Sequence, residues 1–147
     1  MKKTILQILF VFCFFSFSLS LTAEDNSLEK LLNKNKVTLE DIASPLAQEI
    51  GIYNNGNSVP EAIAALKRNY PKLKSIKENT QLRYRDIALI CMQTNKLRGG
   101  IMYSFFENKR YAFRELVYLG AIDNNIDPMK KITGQEAYDL FIEVSSL

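Results

Sequence analysis

The sequence predicts an all-α protein: three degenerate helix-loop-helix repeats packed as one small domain, behind an N-terminal signal peptide. Three observations carry the prediction. The first 23 residues follow the order of an export signal, three later segments share one helical apolar pattern, and turn-forming residues separate the helices.

Lys2 and Lys3 form a short basic start, and the 17 residues from Ile5 to Leu21 are almost wholly apolar, with no charge before Glu24. A basic start, an apolar run and small residues at its exit mark a secretory leader, cleaved after Ala23 or, as second choice, after Ser20. The alternative is a retained anchor, but the run sits at the lower edge of what crosses about 30 Å of hydrocarbon. A membrane is therefore expected as a partner only through an uncleaved leader. The destination is outside the cytoplasm: periplasm, cell surface or cell envelope.

Cleavage after Ala23 changes the composition. Five of the nine Phe leave with residues 1–23, and 124 residues remain as a single domain, 24–147. Loss of Lys2 and Lys3 takes the net charge from +3 to +1. Cys91 becomes the sole cysteine, so no intramolecular disulfide can form. The absence of His removes His triads, His metal sites and His general bases.

The repeats fall at about 24–50, 51–95 and 101–145. Their second helices open on Val37-Thr38-Leu39-Glu40-Asp41-Ile42-Ala43, Leu82-Arg83-Tyr84-Arg85-Asp86-Ile87-Ala88 and Ile132-Thr133-Gly134-Gln135-Glu136-Ala137-Tyr138. Four apolar columns follow: Ile42, Ile87, Ala137; Ala43, Ala88, Tyr138; Leu46, Cys91, Phe141; and Ala47, Met92, Ile142. The spacing i, i+1, i+4, i+5 is one face of a helix. Cys91 is accordingly read as a small core residue rather than a reactive thiol. Thr133 with Glu136 is a capping box, Thr38 with Asp41 a weaker one, and Arg83 at the cap position predicts a looser start.

A first helix recurs before the second. Ala62, Ile63 and Leu66 map onto Ala112, Phe113 and Leu116, and Ser58 with Glu61 supplies another capping box. In the first repeat Leu28, Leu31 and Leu32 form only a stub. Asn54-Asn55-Gly56-Asn57 and Asp123-Asn124-Asn125 read as turns, and Gly99 to Phe106 as a buried linker. Asp123-Asn124-Asn125-Ile126-Asp127 imitates the start of a calcium loop, but Pro128 stands where that loop needs Gly and Gly134 where it needs Glu. No metal and no cofactor is expected.

The run Tyr111-Ala112-Phe113-Arg114-Glu115-Leu116-Val117-Tyr118-Leu119-Gly120-Ala121-Ile122, with Pro128 and Ile132-Thr133-Gly134-Gln135-Glu136-Ala137, resembles the S-layer homology (SLH) repeat. The best match spans 103–145, and the first two copies match mainly at their second helix. The resemblance implies a three-repeat helical module that attaches exported proteins to anionic cell-wall polysaccharide. In that family an Arg in the second-helix start is a principal ligand group; here its position holds Leu39, Tyr84 and Gly134, and Tyr111 stands for the family's opening Trp. The residues that build the helix pair are kept, and those that grip the ligand are largely replaced.

Charge is uneven. Residues 67–98 carry nine bases against Glu78 and Asp86, while 24–66 and 99–147 are net acidic. A basic middle repeat can hold an anionic polymer, with Arg83, Arg85, Tyr84 and Tyr111 as binding residues and Tyr70 as a further stacking surface; Lys72 to Lys77 read as a solvated loop. Export and near-neutral charge argue against nucleic acid. Glu40 and Asp41 point apart on adjacent helix positions, and no nucleophile has a base beside it, so no enzyme is expected. The expected function is a non-catalytic cell-envelope binding module for wall glycan or another anionic polymer. The alternative is a helical scaffold for an envelope protein, contacted through aromatics near Tyr103, Phe105 and Phe106.

Overall fold

The computed structural model describes residues 28–53 and 58–147. The expected signal peptide and the Asn54–Asn57 turn lie outside the described residues. Within them the protein is all-helical, and the only extended pairing is an isolated antiparallel bridge between Arg83 and Lys131. After a helical segment at 28–32 come α1 (Leu39–Glu49), α2 (Val59–Asn69), a 3-10 helix (Pro71–Ser75), α3 (Tyr84–Thr94), α4 (Ile101–Phe106), α5 (Lys109–Tyr118) and α6 (Gly134–Ser145).

The capping residues set the helix starts. α1, α3 and α6 begin directly behind Thr38, Arg83 and Thr133. The Thr133 hydroxyl accepts the Glu136 amide at 3.3 Å, while the Glu136 carboxylate accepts the Thr133 amide at 2.9 Å. At α2, Glu61 likewise accepts the Ser58 amide at 2.9 Å. The start of α3 is not loose, contrary to the expectation from Arg83. Asp86 accepts the Arg83 amide at 3.0 Å and is itself held by Lys109 at 2.8 Å, and the Asp86 amide, which a cap hydroxyl would have accepted, donates instead to the Arg83 carbonyl at 2.8 Å.

Burial follows the apolar columns. Ile42, Ile87 and Ala137 are buried, as are Ala62, Ile63 and Leu66 of α2 and their counterparts Ala112, Phe113 and Leu116 of α5. Each Ile, Leu or Phe among them contributes about 1.5–3 kcal/mol by leaving water. α3 lies innermost, with Ile87 through Met92 all buried. Cys91 is fully buried among them, and desolvation pushes its thiol pKa far up. The last column departs in α6: Leu140 and Val144 turn inward there, while Ile142 is 56% exposed.

The helices pack in a definite order. α1 lies along α2 and α3 along α5, while α6 touches α3. The starts of α1, α3 and α6 are tied together by their first amides. The Leu39 N–H donates to the Glu78 carbonyl at 3.2 Å, the Tyr84 N–H to Lys130 at 3.1 Å, and the Gly134 N–H to Lys34 at 2.8 Å. Each helix thereby uses an otherwise orphaned N-terminal amide to hold the segment leading into another, and the third bond returns to the first segment. Leu82 N–H to the Val37 carbonyl (2.7 Å) and Ile132 N–H to the Leu82 carbonyl (3.0 Å) line the inside of this ring. Val37, Leu82 and Ile132 are all buried there. The ring explains Gly134: a Cβ at that position would run into the Leu31 carbonyl oxygen.

Residues 101–106 correct the expectation of a buried linker. They form α4, and only Tyr103 is buried, its hydroxyl accepting from Gln93 at 2.8 Å. Tyr103 sits over Gly99 so closely that any Cβ there would meet its ring. One anchored residue leaves the rest of a single helical turn and a half facing outward.

Candidate functional site

Three of the four expected ligand residues, Arg83, Tyr84 and Arg85, lie at the first turn of α3, while the fourth, Tyr111, lies on α5. Arg83 pairs through its backbone with Lys131, and the Arg85 N–H donates to the Pro128 carbonyl at 3.2 Å. The loop 128–131 is thus stitched to the start of α3, which brings Lys131 beside Arg83. The sequence reading did not include Lys131, because 48 residues separate it from Arg83 and no local pattern pairs them.

None of Arg83, Arg85 and Lys131 forms an ion pair with a described residue, whereas Lys34, Lys67, Lys72, Lys109 and Lys130 all do. The Arg83 guanidinium contacts the Met129 sulfur at 3.5 Å, a weak partner for a cation. The Arg85 Nε is buried with no hydrogen-bond partner. An unsatisfied donor of this kind costs about 1–3 kcal/mol.

Tyr84 sits differently from the way its sequence position suggested. Its ring is 7% exposed, with the Lys130 ammonium over its face at 5.4 Å from the centroid. Burial, and then the neighbouring Glu136 carboxylate, push its pKa up to about 12. Lys130 in turn pairs with Glu136 at 2.7 Å. Burial alone would raise the Glu136 pKa, but its bonds from Lys130 and Thr133 outweigh this and hold it below its ordinary value. The ring of Tyr84 is therefore enclosed, not offered for stacking. Leu39 and Gly134, which open α1 and α6 as Tyr84 opens α3, are also buried.

Tyr111 is half-buried on α5 and stacks on Phe106, with centroids 5.3 Å apart. Among the described residues no hydrogen bond or ring contact joins it to Arg83 or Arg85. Tyr70 packs partly against the core. Lys72 reaches Glu107 at 3.3 Å on an exposed edge, but the segment is not the solvated loop expected: Pro71–Ser75 is a 3-10 helix, and Leu73 and Ile76 are buried in the core.

The surface of the described residues carries several concavities. One of about 410 Å³ lies between Tyr53, Glu61 and Arg68. An apolar groove of about 320 Å³ is lined by Leu31, Pro45, Leu46, Phe141 and Ile142. A shallow one of about 270 Å³ carries Asp123, Glu136, Asp139 and Glu143 beside Tyr84. Among the described residues there is no group of three or more His, Cys, Asp or Glu side chains placed to hold a metal ion. Nor is any described helix long and apolar enough to cross a membrane.

Compared with protein-family models, with curated proteins and with solved structures, the chain finds no match in any of the three.

Proposed function

We propose that this protein is an exported, non-catalytic binding module of three degenerate SLH-like helix pairs, acting in the cell envelope by holding cell-wall glycan or another anionic polymer. The observation that carries the reading is the trio Arg83, Arg85 and Lys131, three cations with no described ionic partner on two segments held together by backbone bonds. A polymer with carboxylate or phosphate groups supplies the missing counter-charges, and an oxyanion drawn in beside Arg85 supplies an acceptor for its guanidinium. Tyr84 and Lys130 position this edge rather than contact the polymer.

The repeat reading is supported by the ring of first-amide bonds. In it the second helix of one unit packs on the first helix of the next: α1 on α2, then α3 on α5. The stub at 28–32 meets α6 in the same sense through Leu31 and Gly134. A module of this kind presents its unit junctions as ligand edges, and the 83–85 and 128–131 junction is the most basic.

The second reading, a protein partner, is favoured by the outward aromatic side chains of α4. Purified cell-wall sacculi separate the two. The chain from Glu24 onward, which contains every core residue, is expected to be retained at low salt and released as salt rises. No retention at low salt refutes polymer binding.

A further inference from the structure

α4 presents an apolar face that its own fold does not cover. Ile101 is 75% and Phe105 78% exposed, and Met102 and Phe106 lie more than half open beside them. The four positions follow i, i+1, i+4, i+5, so they share one side of the helix. Through the Phe106–Tyr111 stack this face continues onto α5. There Tyr111, Arg114 and Tyr118 fall at i, i+3 and i+7 on one stripe, and Tyr118 is 84% exposed.

Bases surround the apolar face. Arg98 lies two residues before the N-cap Gly100, and Arg110 and Arg114 lie on α5; all three are exposed and form no ion pair with a described residue. The acids nearby are engaged or set back. Glu107 pairs with Lys72, and Glu115 lies against the backbone at Gly100.

We infer that α4 and the adjoining stripe of α5 form a membrane-surface contact that lays Ile101, Met102, Phe105 and Phe106 into the headgroup boundary of an anionic phospholipid bilayer. Large apolar side chains at the tip, tyrosines at their margin and arginines outside them form the order in which a bilayer interface changes from hydrocarbon to phosphate. The area also selects the occupant. Four side chains of this size offer on the order of 500 Å². A stable protein interface takes about 800 Å² from each partner, so a second copy of the chain is poorly held by this face alone. An interfacial anchor needs no such area, because each base near an anionic surface adds about fivefold to binding.

The chain has no Trp, so one introduced residue reports on one place. Phe105→Trp in the full chain reads insertion at α4, and Met129→Trp reads the Arg83 edge. A leader that inserts draws both positions to the vesicle alike, so the difference between positions 105 and 129 is what reads α4. With vesicles containing phosphatidylglycerol, the Phe105→Trp emission is expected to shift to the blue and to be quenched by brominated acyl chains, while Met129→Trp is unchanged. Adding Arg98→Ala and Arg114→Ala should weaken the Phe105→Trp response about 25-fold, fivefold per base. With vesicles, any of three results overturns the inference. They are a shift at position 129 without one at 105, an equal shift with neutral phosphatidylcholine, and no shift with any vesicle. The last returns this face to a protein partner, and a concentration-dependent shift without vesicles, which also refutes it, assigns the face to a second copy.

Discussion

Replacing Gly134 by alanine adds one methyl group where the chain comes closest to itself. The new Cβ would meet the Leu31 carbonyl oxygen, then the Leu31 carbonyl carbon and the Leu32 Cα, all backbone atoms that cannot rotate away. Relief requires α6 to move off the 28–34 segment, which also stretches the bond from the Gly134 N–H to the Lys34 carbonyl, now 2.8 Å. Overpacking of this kind costs about 1–3 kcal/mol, and the weakened hydrogen bond about 0.5–1.5 kcal/mol. Alanine gives back about 1 kcal/mol through helix propensity and a less flexible unfolded chain. The net expectation is a loss of about 1–3 kcal/mol, or roughly 4–12 °C in the thermal midpoint of a domain of this size. Thermal unfolding followed by circular dichroism measures it, with exposed Gln135→Ala as the neighbouring control expected within about 0.5 kcal/mol of wild type. Gly134→Arg, which adds a long side chain at the same close approach, should be worse still. A midpoint for Gly134→Ala at or above wild type refutes the ring.

Two further outcomes follow from named side chains. Burial raises the Asp41 pKa, but hydrogen bonds from Lys34 and from the Thr38 amide and hydroxyl outweigh it, and Glu136 is likewise held low. The unfolded chain therefore takes up protons before the folded one, so their stabilisation is present above the ordinary carboxylate range and is lost as pH falls through it. Asp41→Asn with Glu136→Gln should lower the midpoint at neutral pH and flatten its decline below about pH 4.5; an unchanged acid limb contradicts the capping assignments. In the chain from Glu24 onward, where it is the sole cysteine, Cys91 should react with a thiol reagent only after denaturant is added, since its sulfur is enclosed and its ionisation disfavoured. Stoichiometric labelling of the native chain would contradict its place in the core.

The helix starts were legible because their causes are local. Thr38, Ser58 and Thr133 each bond to groups three residues on, and the apolar columns name the inward face of α2, α3 and α5 without reference to anything distant. The site was legible only in part. Arg83 and Arg85 were visible as charges, but the enclosure of Tyr84 depends on Lys130 and Glu136, which belong to a segment nearly 50 residues away. Lys131 was hidden for the same reason. Ile142 shows another limit: an apolar column predicts which way a helix faces, not how far the neighbouring segment covers it. α4 was misread because its apolar residues resemble core and only Tyr103 has a place in it.

The claim that a built edge, and not net charge, holds the polymer is tested by comparing two charge-matched variants on sacculi. One is Arg83→Ala with Arg85→Ala and Lys131→Ala; the other is Lys72→Ala with Lys74→Ala and Lys77→Ala, each removing three positive charges. The account predicts that the first variant is no longer retained at low salt while the second binds as wild type does, both unfolding in a single cooperative transition. Equal loss from both, or retention of the first, would contradict it.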